Sequence, residues 1–231
     1  MKRIHGAPLQ RIVLKDRVSE LIKEAILSGK LESGDRIVEM KLANDLGVGT
    51  TAVREALFEL EAQGFVTRVT NKGTFVTQLS AEDVAQILRV RHELEGLAVE
   101  ILERCATAAD LETLQKLIDE MRAAANAGNF QGFYRVDLEF HRTLWNLTGN
   151  RFLAKALDIT VVPLFAFFIL KNPRDSAEDL IASADRHAQV LQALRDGGGA
   201  RPCMEAALQF FAEQEYRLLF DHAGRQLTPK S

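Results

Sequence analysis

Between Gly47 and Val76 the chain reads GVGTTAVREALFELEAQGFVTRVTNKGTFV, and within that stretch its hydrophobic period changes once. Val53, Ala56, Leu57 and Leu60 recur at helical spacing, and Gly64 closes that segment. Beyond it, FVTRVT and GTFVTQ alternate apolar and polar residues around Asn71-Lys72-Gly73, the pattern of strand, turn and strand. Upstream, Glu39–Leu46 suits a short helix stopped by Gly47, which tolerates the left-handed conformation of a helix end. Leu9–Ser28 reads as an amphipathic helix with Ile12, Val18, Leu21, Ile22, Ala25 and Ile26 at near-helical spacing, broken by SGKLESGDRI. Three helices followed by a hairpin describe a winged helix-turn-helix.

From Ser80 onward the alternating pattern disappears. Six helices are expected, over Ala81–Cys105, Ala109–Ala127, Phe130–Leu147, Arg151–Leu170, Ser176–Arg195 and Arg201–Phe220. NAGN, TGN, KNPRDS and DGGGARP separate them. Ten of the 13 phenylalanines lie in this part, as a bundle with a large core requires. The fold class is therefore mainly α: a winged helix-turn-helix domain over residues 1–79, then an all-α helical bundle over residues 80–231.

The charge follows the same division. Met1–Ser80 holds 12 Lys and Arg against 10 Asp and Glu, a net of +2, and the remainder holds 17 against 22, a net of −5. The sign favours an anionic partner for the N-terminal part alone. Cys105 and Cys203 lie far apart in helix-like sequence and form no metal or redox motif, which suits thiols in a reducing cytoplasm. MKRIHGAPLQ lacks the apolar core of a signal peptide, and the apolar run Ile159–Leu170 is too short to span a bilayer. A cytoplasmic protein without a membrane partner is expected.

A helix that begins with Thr50 and Thr51 offers backbone N–H groups and two hydroxyls to a phosphate. Arg54, one turn in and off the buried stripe, can reach a guanine edge in the major groove. Lys72-Gly73 forms a small basic wing tip. The candidate contacts with double-stranded DNA are Lys41, Thr50, Thr51, Arg54, Lys72 and Gly73. The plainer alternative is that Arg54 pairs with a nearby carboxylate, or that the winged helix docks on a protein.

The run LANDLGVGTTAVREALFELEAQGFVTRVTNKGTFV resembles the DNA-binding domain of the GntR family of bacterial transcription regulators. RVRHELEGLAVEIL, DLEFHRTLWNLTGN and RHAQVLQALRDG resemble the effector domain of its FadR branch, and six helices place it nearest the VanR-like group. The chain departs from the family pattern at Gly49-Thr50-Thr51-Ala52, where Ser-Arg-Thr-Pro is usual. Thr50 thus replaces an arginine that the resemblance would set on DNA. Phe58 and Glu59 stand where arginine is also common, which shifts base readout onto Arg54 and frees Phe58 for packing on the second domain.

In the bundle, Asp137 and His141 share a helix face at a spacing of four, and His187 follows on a later helix. A carboxylate with imidazoles suits Zn²⁺, or alternatively Ni²⁺ or Mn²⁺. From spacing alone, a hydrogen-bonded core histidine and a solvated aspartate remain the alternative. The resemblance implies that these three join a further histidine on the last helix. In the register set by CMEAAL, Ala207 takes that place, and His222 lies too far along to serve. Arg91 resembles a family position facing the pocket, where its fork suits a carboxylate, and Asn150, after the TG turn, is the second candidate effector-binding residue. An ion pair from Arg91 to Glu95 is the alternative. Phe133, Trp145, Phe165 and Phe168 read as core.

The resemblance and the residues together imply a homodimeric transcription regulator, a repressor in most of the family. It would bind an inverted-repeat operator and sense a small carboxylate effector, with a divalent metal whose fourth family ligand is missing. The rivals are an all-helical metal-dependent hydrolase built on Asp137, His141 and His187, and a metal-only sensor.

Overall fold

The computed structural model describes residues 9–27, 30–171 and 176–219, without the side chains of 9–13, 169–171, 211 and 213–219. The side chain of Ile12 and all of His222 thus lie outside the described residues. The chain divides into two compact units, Met1–Gln78 and Leu79–Ser231.

The first unit runs α1 (Leu9–Leu27), β1 (Arg36–Ile37), α2 (Glu39–Leu46), α3 (Thr50–Ala62), β2 (Val66–Val69) and β3 (Gly73–Val76). Its core forms where α1 lies on α3: Val18, Ile22 and Ile26 are buried on one, and Val53, Ala56, Leu57 and Leu60 on the other. Gly47 ends α2 in the left-handed region, at φ 65°. The N-cap of α3 is Gly49, with no side-chain hydrogen bond, so Thr50 and Thr51 are its first two helical residues and do not cap it. At its other end the last helical residue is Ala62, and Gly64, at φ 76°, turns the chain toward β2.

The sheet order is β1-β3-β2, antiparallel throughout, with Arg36 opposite Phe75 and Val69 opposite Gly73. The hairpin is the expected one. Strand β1 is an addition, too short for any alternation to show in the sequence.

The second unit holds α4 (Ala81–Cys105), α5 (Ala108–Asn126), α6 (Phe130–Leu147), α7 (Arg151–Lys171), α8 (Ala177–Asp196) and α9 (Ala200–Leu219), and no strand among its described residues. Three starts carry reciprocal caps. Ser80 with Asp83, Thr107 with Asp110, and Ser176 with Asp179 each satisfy two backbone N–H groups that a helix start otherwise leaves open. Hydrogen bonds from Ser80 hold the Asp83 carboxyl below its usual range. Phe133, Trp145, Phe165 and Phe168 are all buried, and Pro163 sits inside α7 without ending it.

Replacing Thr107 or Ser176 by alanine removes a cap without touching the core. Each change is expected to lower the unfolding free energy by about 1 kcal/mol, read as an earlier urea midpoint with an unchanged slope.

Candidate functional site

Thr50, Thr51 and Arg54 are exposed along the first turns of α3, and Lys41 is exposed on α2. The Arg54 side chain is 58% exposed, yet its guanidinium is engaged: Nε and Nη2 lie 3.0 and 2.9 Å from Oε2 of Glu39 at the start of α2. Arg68 on β2 approaches from the sheet, donating from Nη2 to the Arg54 carbonyl at 3.3 Å. The Arg68 guanidinium stacks on the Phe58 ring, 3.5 Å from its centre, and Phe58 remains 55% exposed. Glu59, the neighbouring departure from the family pattern, pairs with Lys15 of α1 at 2.7 Å.

At the wing, Lys72 and Gly73 are exposed. Asn71 and Gly73 take positive φ of 63° and 115°, and a Cβ at Gly73 would stand 3.3 Å from Nε of Arg36. Strand β1 thereby brings a second basic side chain to the wing tip. Arg36 and Arg68 were absent from the sequence-based set.

In the second unit, α6 presents Asp137, His141 and Trp145 at successive spacings of four, all buried, and α4 presents Arg91 and Glu95 likewise. His187 on α8 completes the group. His141 Nε2 lies 3.4 Å from Asp137 Oδ1 and 3.2 Å from His187 Nε2, and His187 Nε2 lies 3.0 Å from the same Asp137 oxygen. Two ligands about 2.1 Å from one ion, at angles of 90–109°, stand about 3.0–3.4 Å apart. The three donor atoms therefore already span one face of a coordination polyhedron.

The hydrogen bonds around them fix which nitrogens face inward. Arg91 Nη2 sits 2.9 Å from His141 Nε2, and a guanidinium only donates, so that nitrogen accepts and the ring proton is on Nδ1. Nδ1 in turn faces Glu95 Oε1 at 3.0 Å. His187 Nδ1 donates to the Ser183 carbonyl at 2.8 Å, which turns its Nε2 toward His141. Asp137 is 2% exposed, and its Oδ1 has no aligned hydrogen bond among the described residues. The His141 Nε2 lone pair is met by Arg91, while Asp137 Oδ1 and His187 Nε2, 3.0 Å apart, need a proton or a cation between them. The alternative of a solvated aspartate does not hold here.

Glu95 is the acceptor on which the group converges, with Arg91 Nε at 3.3 Å, His141 Nδ1 at 3.0 Å, and a hydrogen bond from Trp145 Nε1 at 3.1 Å. Burial alone would raise its carboxyl, but the Arg91 guanidinium and the His141 ring hold it down to about 2. Burial lowers the His141 ring and outweighs the pull of Glu95. Burial opposes the charge on His187 too, yet the Asp137 carboxylate pushes that ring up.

A narrow cleft opens onto this group, lined by Arg91, Asp137, His141, Ser183, Arg186, His187, Met204, Ala207 and Leu208. It encloses about 290 Å³ of empty space including its mouth. Ala207 of α9 lines it, so the last helix contributes a methyl group where the resemblance implied an imidazole. Asn150 is not among the lining residues; its carboxamide oxygen accepts the N–H groups of Phe152 and Leu153, both at 3.2 Å, at the start of α7.

A profile of the FCD domain matches residues 86–209, and one of bacterial regulatory proteins of the gntR family matches residues 14–76. The first alone spans more than half of the chain. The chain belongs to the GntR family, with an FCD domain. This GntR/FCD regulator is 33% identical over 138 residues to YdhC of Bacillus subtilis, an uncharacterized HTH-type transcriptional regulator, an alignment spanning 59% of this chain and 62% of that protein. It is 26% identical over 183 residues to the gluconate operon transcriptional repressor of Bacillus subtilis, spanning 78% of this chain and 74% of the repressor.

With the HTH-type transcriptional regulator McbR of Escherichia coli it is 25% identical over 223 residues, covering 94% of this chain and 97% of McbR. A solved structure of E. coli McbR/YncC superposes with a TM-score of 0.68 at 23% identity, over 88% of this chain and 97% of that one, which speaks for a shared fold. These relatives are transcription regulators, and the hydrolase reading has no support among them. No described helix of the regulator is long and apolar enough to cross a membrane.

Four residues of this regulator's cleft and network escaped sequence reading as functional groups: Glu95, Trp145, Ser183 and Arg186. For Glu95 the spacing to Arg91 was visible, but only as an i,i+4 ion pair on one helix face. Replacing Glu95 by glutamine leaves the buried Arg91 charge without its carboxylate. The expected loss is about 3–5 kcal/mol of unfolding free energy, measured by urea unfolding.

Proposed function

We propose that this regulator is a homodimeric repressor that binds an inverted-repeat operator through α3 and the wing, and releases it on binding a small organic acid in the FCD cleft. Arg54 reads base edges in the major groove. Thr50 and Thr51 receive a phosphate at an α3 N-terminus that no side chain caps, and Lys41, Lys72 and the Gly73 backbone hold the flanking strands. Two copies on a two-fold axis match two half-sites.

Exposed apolar residues support the dimer. Val90 and Leu97 lie seven apart on α4, and Phe152 and Ile159, 71% and 66% exposed, lie seven apart on α7, which packs on α4. The paired change Phe152→Glu with Ile159→Glu is expected to yield monomers in sedimentation velocity while circular dichroism stays unchanged.

The observation that carries the sensing role is the triangle of Asp137 Oδ1, His141 Nε2 and His187 Nε2, with edges of 3.0–3.4 Å. These residues fit a divalent ion, Zn²⁺ first and Ni²⁺ or Mn²⁺ next, and Asp137 Oδ1 supplies the oxygen that hydrogen bonding leaves open. Bound there, the ion would supply Lewis acidity toward an effector carboxylate. Arg91 donates to the acid, and Ala207 leaves space beside it. The acid shifts operator affinity only if it binds the two arrangements of the dimer unequally.

Elemental mass spectrometry of the purified protein is expected to find one divalent ion per chain, and none in Asp137→Ala. Equal metal in both proteins would overturn the site. For the DNA face, Arg54→Ala should abolish specific operator retardation in a mobility-shift assay while dimerisation persists, and an unchanged affinity would refute its role.

A further inference from the structure

The cleft has two arginines, and they stand in different electrostatic positions. Arg91 lies on its floor, tied to Glu95 and His141. Arg186, on α8 one residue before His187, lines the same cleft but has no carboxylate partner among the described residues. Its guanidinium stacks on the Phe210 ring of α9, 3.7 Å from the ring centre. That contact leaves the in-plane N–H donors of the fork for another group, and Nε is buried without a hydrogen bond. A cation desolvated on an aromatic face, with a buried donor open, is an incomplete anion site. The floor, by contrast, already sets Glu95 and Asp137 against Arg91.

Resting on the proposal that a small organic acid enters this cleft, we propose that the acid is a dianion, a short dicarboxylate. One carboxylate takes the floor beside Arg91 and the histidines. The other is forked by Arg186 against Phe210. In this arrangement the free interior holds no more than about one water, so an acid is admitted only as the arginine side chains swing aside, and a short diacid needs the least opening. Arg186 is then what separates diacids from monoacids.

The test is isothermal titration of the whole dimer with propionate, malonate, succinate and glutarate, comparing wild type with Arg186→Ala and Arg186→Lys. At least one diacid is expected to bind wild type about tenfold or more tightly than propionate. Arg186→Ala should erase that margin, costing the diacids far more affinity than propionate, and Arg186→Lys, which keeps charge without the fork, should restore part of it. Loss of propionate and diacid affinity in equal proportion would make Arg186 a structural clip between α8 and α9 and overturn the proposal. So would diacids that bind wild type no more tightly than propionate. If wild type binds none of the four, the organic-acid reading of the cleft fails as well, an outcome distinct from monoacid binding without a diacid margin.

Discussion

A carboxylate with no access to water must be surrounded by donors, and in this protein that condition falls on Glu95. Desolvating it opposes folding by several kcal/mol, so the fold that contains it has to deliver compensating groups to one point. They come from two helices: Arg91 from the same face of α4, His141 and Trp145 from α6. The requirement fixes the rotation of α4 and α6 against each other, and with it the direction of the His141 ring. Once that ring faces Glu95 through Nδ1, its Nε2 faces His187 and Asp137. The charges then fall one short of balance. Asp137 and Glu95 bring two negatives and Arg91 one positive, and the missing charge is met by Arg186 in the same cleft, by a proton on His187 or, in the proposed reading, by a metal ion. With a divalent ion and neutral rings the floor turns net positive, which is the condition for drawing an anion into a closed space.

Periodic features of the sequence were legible, and pairings between elements were not. The α3 stripe and the β2–β3 hairpin follow from spacing, as does the shared face of Asp137 and His141. Strand β1 has two residues and no period, so Arg36 reached the wing unannounced. Trp145 was read as core, correctly, but its Nε1 also holds Glu95, a contact set by how α6 meets α4. Arg186 carries no local signal at all, since its place over Phe210 depends on α8 and α9 packing together. Asn150 was read as a pocket residue although it directly precedes a helix, where a carboxamide is a natural N-cap. At the start of α3 the cap is Gly49, which leaves the Thr50 and Thr51 hydroxyls on the surface.

In the DNA-binding unit an unremarkable contact is compatible with the role proposed for the same residue. Arg54 pairs with Glu39, which is the plainer of the two readings open from the sequence. Yet an ion pair this exposed contributes at most about 1 kcal/mol. A guanine edge or a phosphate can therefore take the place of Glu39 at small expense in free energy. The same carboxylate restrains the guanidinium above the α3 surface while no DNA is present. Arg68 supports it from below through the Arg54 carbonyl, and Phe58 carries Arg68. The aromatic ring of Phe58 thus still serves a basic surface, by stacking under a cation that comes from the sheet.

In the second unit the residue of consequence for the proposed reading is Ala207, where the resemblance implied a histidine. A histidine there would complete a metal site from protein atoms alone, leaving an incoming acid only a peripheral place. In the proposed reading an alanine leaves one coordination position to an outside oxygen, so ion and acid would each raise the affinity for the other by the same factor. The helix that carries Ala207 is held at its start by Arg201, which reaches Glu93 and Glu100 on α4 and Glu205 on its own turn, at 3.2, 2.9 and 2.9 Å. Gly96 allows that approach, since a Cβ there would stand 3.1 Å from the Arg201 guanidinium carbon. The start of α9 is therefore pinned to α4, the helix that also carries Arg91. A ligand pressing on Met204, Ala207 or Leu208 pushes against α4 as well, and α4 is the element through which the second unit begins.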